Sequence, residues 1–193
     1  MDLYGRLVEL QGMTRLLIDD VRRLKRRLGV GNPDPSPALK TNRRFYIRAV
    51  FALVEAFVEQ HRRLLVELAQ HGMIVLPAKK LQRLREMKPV LLDDGSVGEQ
   101  EQYLQIFDKI KEVYKAAGTG FGQDLNITFG DEGWATFKTA MALRNRVTHP
   151  KRVADCCIEE PDLAVVTAAN EWFKTLQNEF VRVARAHRTA NHW

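Results

Sequence analysis

Cysteine is nearly missing from this chain: there are two, and they are neighbours, Cys156 and Cys157. Adjacent thiols make neither a disulfide framework nor a zinc knuckle. No other grouping of His, Cys, Asp and Glu forms a convincing metal cluster, so neither metal nor cofactor is expected. Also missing is any run approaching the ~18 to 20 uninterrupted apolar residues of a membrane-spanning helix. The start, Met1-Asp2-Leu3-Tyr4-Gly5-Arg6, has no signal-peptide pattern. A cytoplasmic protein without membrane contact is expected. Strand signal is almost absent, and no repeat of fixed period is visible, which disfavours a solenoid.

What is present is a globular composition, 45% hydrophobic and 28% charged over 193 residues, enough for one sizeable core. A formal charge of +6 and a pI near 9.5 favour a polyanionic partner.

Apolar residues first recur in alternating steps of four and three. Leu3, Leu7, Leu10, Leu17, Val21, Leu24 and Leu28, with Thr14 as the exception, form a heptad seam. The basic run Arg22 to Arg27 reads as the solvated face of that helix. Prolines 33, 35 and 37 follow Gly29 and Gly31, a helix stop and then a linker. Three segments are therefore expected: a heptad helix over 1–31, a linker over 32–40 and a helical body over 41–193.

Thr41 suits the cap of a second helix, with Ile47, Val50, Phe51, Val54, Phe57, Val58, His61, Leu65 and Leu68 on one face to about Gly72. His61 on that apolar face reads as a core or interface histidine. Pro77 opens a short, very basic piece (Lys79, Lys80, Arg83, Arg85, Lys88) closed by Pro89, and a loop containing Asp93-Asp94-Gly95 follows. Tyr103 or Leu104, Phe107, Ile110 and Tyr114 mark a third helix, ended by Gly118-Thr119-Gly120-Phe121-Gly122. That glycine cluster is no phosphate loop, since no Gly-Lys-Ser/Thr follows and no strand precedes it. Leu125 to Phe129 alternates weakly, as a short extended piece would. Asp131 suits the cap of a helix lined by Trp134, Phe137, Met141 and Val147, which Pro150 stops. A last helix begins near Pro161 and carries Leu163, Val166, Trp172 or Phe173, Leu176, Phe180 and Val183. The expected class is all-α, an antiparallel bundle of about five helices.

Chemistry concentrates in Leu143-Arg144-Asn145-Arg146-Val147-Thr148-His149-Pro150. With 19 arginines and five histidines, an arginine five residues before a histidine is common by chance, and Arg182 and His187 repeat the spacing. Five residues of uninterrupted helix turn two side chains ~140° apart, which keeps Arg182 and His187 from converging. At the first pair Pro150 biases His149 out of the helical region, so its ring can swing back over the last turn.

This segment resembles the HEPN domain family, named for higher-eukaryote and prokaryote nucleotide binding, whose signature is an arginine, four to six residues, then a histidine. The Arg-Asn-x-x-x-His form matches at Arg144, Asn145 and His149, and the surrounding order of helices looks similar over about residues 40 to 187. The resemblance implies metal-independent RNA cleavage, often by toxins or defence effectors, with two motifs meeting at a homodimer interface and an antitoxin or other protein partner. The alternative it also implies is a non-catalytic helical interaction or nucleotide-binding module.

The residues suit the cleaving branch. Attack of an RNA 2′-hydroxyl on its phosphate needs a proton acceptor, a cation and a proton donor, which His149 and Arg144 can supply. Asn145 can orient His149 or the phosphate, and Arg146, Lys151 and Arg152 flank the site and can hold neighbouring phosphates. Glu55, flanked by Arg48 and Arg62, is either a carboxylate reaching the motif or an ordinary member of a salt-bridge stripe. A competing reading makes Arg144 and His149 simple charge partners for carbonyls at a helix C-terminus. His187 and His192 are assigned nothing.

Overall fold

The apolar periodicity is realised as six α-helices and one β-hairpin in a computed structural model, which describes residues 3–32, 36–92, 94 and 96–191, with the side chains of residues 3–11 outside that description. In order these are α1 (Leu3–Lys25), α2 (Pro37–Gln70), α3 (Ala78–Leu84), β1 (Met87–Leu91), β2 (Val97–Glu101), α4 (Ile106–Phe121), α5 (Glu132–Thr148), a 3₁₀ turn (Val153–Cys156) and α6 (Glu160–Asn191). The protein is mostly helical, and none of the described helices is long and apolar enough to cross a membrane. The chain divides into two compact units, Met1–Phe57 with Thr128–Thr175, and Val58–Ile127 with Leu176–Trp193, so α2 and α6 supply residues to both.

In the first unit, Tyr46, Ile47, Val50, Phe51 and Val54 of α2 are buried with Trp134, Phe137 and Met141 of α5 and Leu163, Val166 and Phe173 of α6. Rings settle the packing: Phe51 and Phe137 lie 5.7 Å apart and Trp134 and Trp172 5.5 Å. A Cβ on Gly133 would come within 2.0 Å of Trp172, so the first turn of α5 must lack a side chain there. The heptad seam is covered by its own chain from Thr14 onward. Thr14, Val21 and Leu28 are buried, Leu17 and Leu24 half-buried, and Met13 and Leu16 face outward. The Leu3, Leu7 and Leu10 side chains lie outside the described residues.

Thr41 does not cap α2. The helix begins one turn earlier at Pro37, where a missing N–H costs nothing, and the Ser36 hydroxyl accepts from the Leu39 N–H at 3.4 Å. Residues 37–40 are thus helix rather than linker, and Pro33, Asp34 and Pro35 lie outside the described residues. Arg43, only 1% exposed, ties the region together. Its guanidinium donates to the carbonyls of Leu28, Gly29 and Ile158 at 3.1 to 3.3 Å, and Glu160 lies 3.8 Å away. A buried guanidinium with every edge paired is how such a charge is tolerated.

The second unit packs Val58, Leu65 and Leu68 of α2, Leu84 of α3, Ile110, Val113 and Tyr114 of α4, and Phe180 and Val183 of α6. Here lies the one strand pair among the described residues, a small exception in an otherwise helical chain. Segments around Pro89 and Glu99 pair as an antiparallel hairpin, Met87 opposite Glu101 and Leu91 opposite Val97. Pro89 is tolerated because both strands of a two-stranded sheet are edges. The polar run Gly98-Glu99-Gln100-Glu101 hid the pairing, because an exposed strand needs no apolar alternation. Asp94 closes the turn by accepting from the Ser96 N–H at 2.9 Å and hydroxyl at 2.6 Å, while Asp93 and Gly95 lie outside the described residues. The glycine cluster does not end α4 at once. The helix runs through Gly118 and Gly120, where a Cβ would lie 2.9 Å from Ile74, and stops at Gly122 with φ +63°. Leu125 to Phe129 forms no strand.

Candidate functional site

The segment carrying the motif is shaped by its two ends. Asp131 caps α5, its side chain accepting from the Trp134 N–H at 2.7 Å. At the other end Pro150 pushes His149 to φ −126°, ψ 60°, outside the helical region, while the His149 N–H still closes the last turn on the Asn145 carbonyl at 2.9 Å.

The carbonyls of that last turn are taken by other groups. The Thr148 hydroxyl donates to the Arg144 carbonyl at 2.7 Å, and Arg48 reaches across from α2 to the Val147 carbonyl. Arg48 therefore serves the helix end rather than the polar atoms of the motif. The Arg144 guanidinium goes elsewhere, to Glu55 at 2.7 Å and to Asn145 Oδ1 at 3.1 Å. The imidazole of His149 is exposed and makes no hydrogen bond among the described residues. Neither side chain of the arginine–histidine pair is used on a carbonyl, which is the arrangement the competing reading requires.

Past His149 the chain turns around Asp155, whose carboxylate accepts from the N–H groups of Lys151 at 2.9 Å and Arg152 at 3.0 Å. The Lys151 N–H above all, then that of Arg152 and the charges of Arg152 and Arg146, hold this carboxyl below its ordinary range. The result is an open pocket of about 780 Å³ lined by Asn145, Arg146, His149, Lys151, Arg152 and Asp155. Three cations face one carboxylate. Arg146 is anchored to Asp162 at 3.0 Å and to the Cys157 carbonyl at 3.4 Å, its buried Nε having no partner. The Lys151 ammonium makes no ion pair among the described residues.

Of the residues singled out from the sequence, Asn145, Arg146, His149, Lys151 and Arg152 come together in this pocket. Arg144 is not among the lining residues. It adjoins them through Asn145, its charge balanced by Glu55, and the guanidinium groups facing the pocket belong to Arg146 and Arg152. Sequence reasoning missed Asp155 and Asp162. Asp155 was findable, since it stands three residues after Arg152 in a segment released by Pro150, the spacing at which a carboxylate reaches back to free N–H groups.

The other histidines differ. His61 is buried, stacked on Phe180 at 3.8 Å, and shares a hydrogen bond with the Tyr114 hydroxyl at 3.2 Å. Burial pushes its pKa down to about 3 and the Tyr114 hydroxyl well up. Arg182 binds Glu179 and the Asp124 carbonyl, whereas His187 meets the Met73 carbonyl at 3.1 Å, so these two serve different partners. His192 lies outside the described residues. Cys156 and Cys157 are both free, and among the described residues no three or more His, Cys, Asp or Glu side chains are grouped to hold a metal ion. Comparison with protein-family models, curated proteins and solved structures finds no match to this chain.

Proposed function

We propose that the pocket at the end of α5 is the active centre of a metal-independent RNA endonuclease of HEPN type, acting in the cytoplasm as a toxin or defence effector. The observation that carries this reading is the His149 imidazole, which makes no hydrogen bond among the described residues and shares its pocket with Asn145 and three cations. An unengaged imidazole at the surface has both nitrogens open to a ligand.

In this mechanism His149 accepts the proton of the RNA 2′-hydroxyl as its oxygen attacks the adjacent phosphorus. The P–O5′ bond breaks, leaving a 2′,3′-cyclic phosphate on one product and a 5′-hydroxyl on the other. Arg146, Lys151 and Arg152 stabilise the charge that grows on the non-bridging oxygens. Arg144, held by Glu55, orients Asn145 beside the reacting phosphate. The departing 5′-oxygen needs a proton, and a second imidazole from another copy of the chain supplies it, which makes the working form a homodimer. DNA lacks the attacking hydroxyl and is not a substrate. An antitoxin or other protein partner would restrain the activity by covering the same open pocket.

The test is cleavage of RNA by purified protein in the presence of a chelator, with product ends identified. Cleavage that leaves cyclic phosphate and vanishes in His149→Ala supports the reading. Strict magnesium dependence with 3′-hydroxyl ends overturns it. RNA or nucleotides bound without cleavage would assign the pocket to a non-catalytic binding module instead. Light scattering on the full chain tests the dimer, and a monomer with full activity overturns the shared site.

A further inference from the structure

The basic run Lys79 to Lys88 takes no part in the α5 pocket. It belongs to the unit of Val58–Ile127 and Leu176–Trp193. There α3 sits against α4, and two of its cations are engaged at that junction. Lys80 donates to the Thr119 hydroxyl at 2.6 Å and the Lys115 carbonyl at 3.4 Å, and Arg83 pairs with Glu112 at 3.2 Å. Lys79, Arg85 and Lys88, with Lys115 on α4, are exposed, and their charged groups have no hydrogen bond or ion pair among the described residues.

The carboxylates around them do not answer this charge. Glu86, the single acidic residue between positions 78 and 92, is engaged by Lys109 at 2.7 Å and lies 3.8 Å from Arg62. Lys88 stands opposite Gln100 in the hairpin, so strand alternation sends Glu99 and Glu101 to the other face of the sheet. Asp108 is exposed in the first turn of α4, where the helix dipole favours it. α3 exposes no large apolar side chain, which a lipid-binding helix would need.

We infer that α3 and its junction with β1 form a second contact surface for single-stranded RNA, holding its phosphate backbone without regard to base. Unpaired lysines and an arginine spread along an exposed helix and strand suit a chain of phosphates rather than one small anion. The choice of RNA among polyanions rests on the nuclease reading above; the existence of the surface does not.

The experiment measures binding of a labelled, fully 2′-O-methylated oligonucleotide, which lacks the attacking hydroxyl, as a function of salt. Lys79→Ala/Arg85→Ala/Lys88→Ala should bind it at least tenfold more weakly, and the slope of log K against log salt should fall by about 2, three lost phosphate contacts at ~0.7 each. Lys88→Glu alone, at an exposed strand position, provides the same reading if the triple variant is unstable. Unchanged affinity and slope overturn the surface, even if the protein cuts RNA. Patch-dependent binding without cleavage keeps the surface and removes the nuclease. Recruitment to phosphatidylglycerol vesicles that depends on these residues, with oligonucleotide binding unaltered, assigns the surface to a membrane and overturns the proposal.

Discussion

His61 and His149 carry the same imidazole in opposite surroundings. His61 sits in the middle of α2 in the second unit, enclosed by Phe180 and Tyr114, with a ring nitrogen on the Tyr114 hydroxyl. His149 ends α5 in the first unit, exposed and without a hydrogen bond among the described residues. Burial makes the first a packing element whose protonation the fold resists. Exposure beside cations leaves the second open to a ligand. Position along the helix decides between these roles: a mid-helix residue on the apolar stripe is enclosed by its neighbours, whereas a residue released by a following proline is not.

The comparison breaks most directly at His149. His149→Ala should lower RNA cleavage by ~10² to 10⁴ and leave the melting temperature unchanged, as kinetics and thermal denaturation will show. A variant that melts early would make His149 structural. His61→Ala should do the reverse, costing about 3 kcal/mol through the space left against Phe180 while the folded fraction keeps its cleavage rate. Chemical denaturation alongside active-site titration checks both halves.

Glu55→Gln sharpens the contrast by loosening Arg144 without touching the pocket lining. Cleavage should fall about tenfold from misplaced Asn145, and stability should barely move, since the pair is partly exposed. The pH dependence separates the histidines further. The folded pKa of His61, about 3, lies below the ordinary value of 6.5, so between those limits the unfolded chain takes up a proton that the folded chain refuses. Stability is full above pH 6.5 and falls with acidification by up to about 1.4 kcal/mol per pH unit. His61→Gln keeps a polar partner for Tyr114 and should flatten that slope in melts between pH 7 and 5. The smallest effect is expected from Arg182→Ala with His187→Ala, the pair of identical spacing, which should change cleavage by no more than about twofold.

Much of the local structure was legible from side-chain chemistry. The Asp131 cap, the buried stripe Trp134, Phe137, Met141 and Val147, and the departure of His149 from the helix all follow from residues within one or two turns of each other. The hairpin was not legible, because Pro89 and the run Gly98-Glu99-Gln100-Glu101 read as loop, and only their pairing makes strands of them. In the site, Asn145, Arg146, His149, Lys151 and Arg152 are close in sequence, and a helix end and a turn suffice to gather them. Glu55 was legible only as one of two readings, a carboxylate reaching the motif or a member of a salt-bridge stripe, because it lies 89 positions from Arg144 and spacing could not choose between them.

By itself, then, the sequence determined the helical class, the limits of α5 and the release of His149, because caps, prolines and apolar periodicity act over a few residues. Only the tertiary structure decided that Arg144 is balanced by Glu55, that Arg48 closes the end of α5, that Arg43 is buried against three carbonyls, and that the seam from Thr14 to Leu28 is covered by its own chain. Those outcomes depend on which helices pack together. A guanidinium binds whichever acceptor the packing brings within reach, and nothing local to an arginine specifies which one that is.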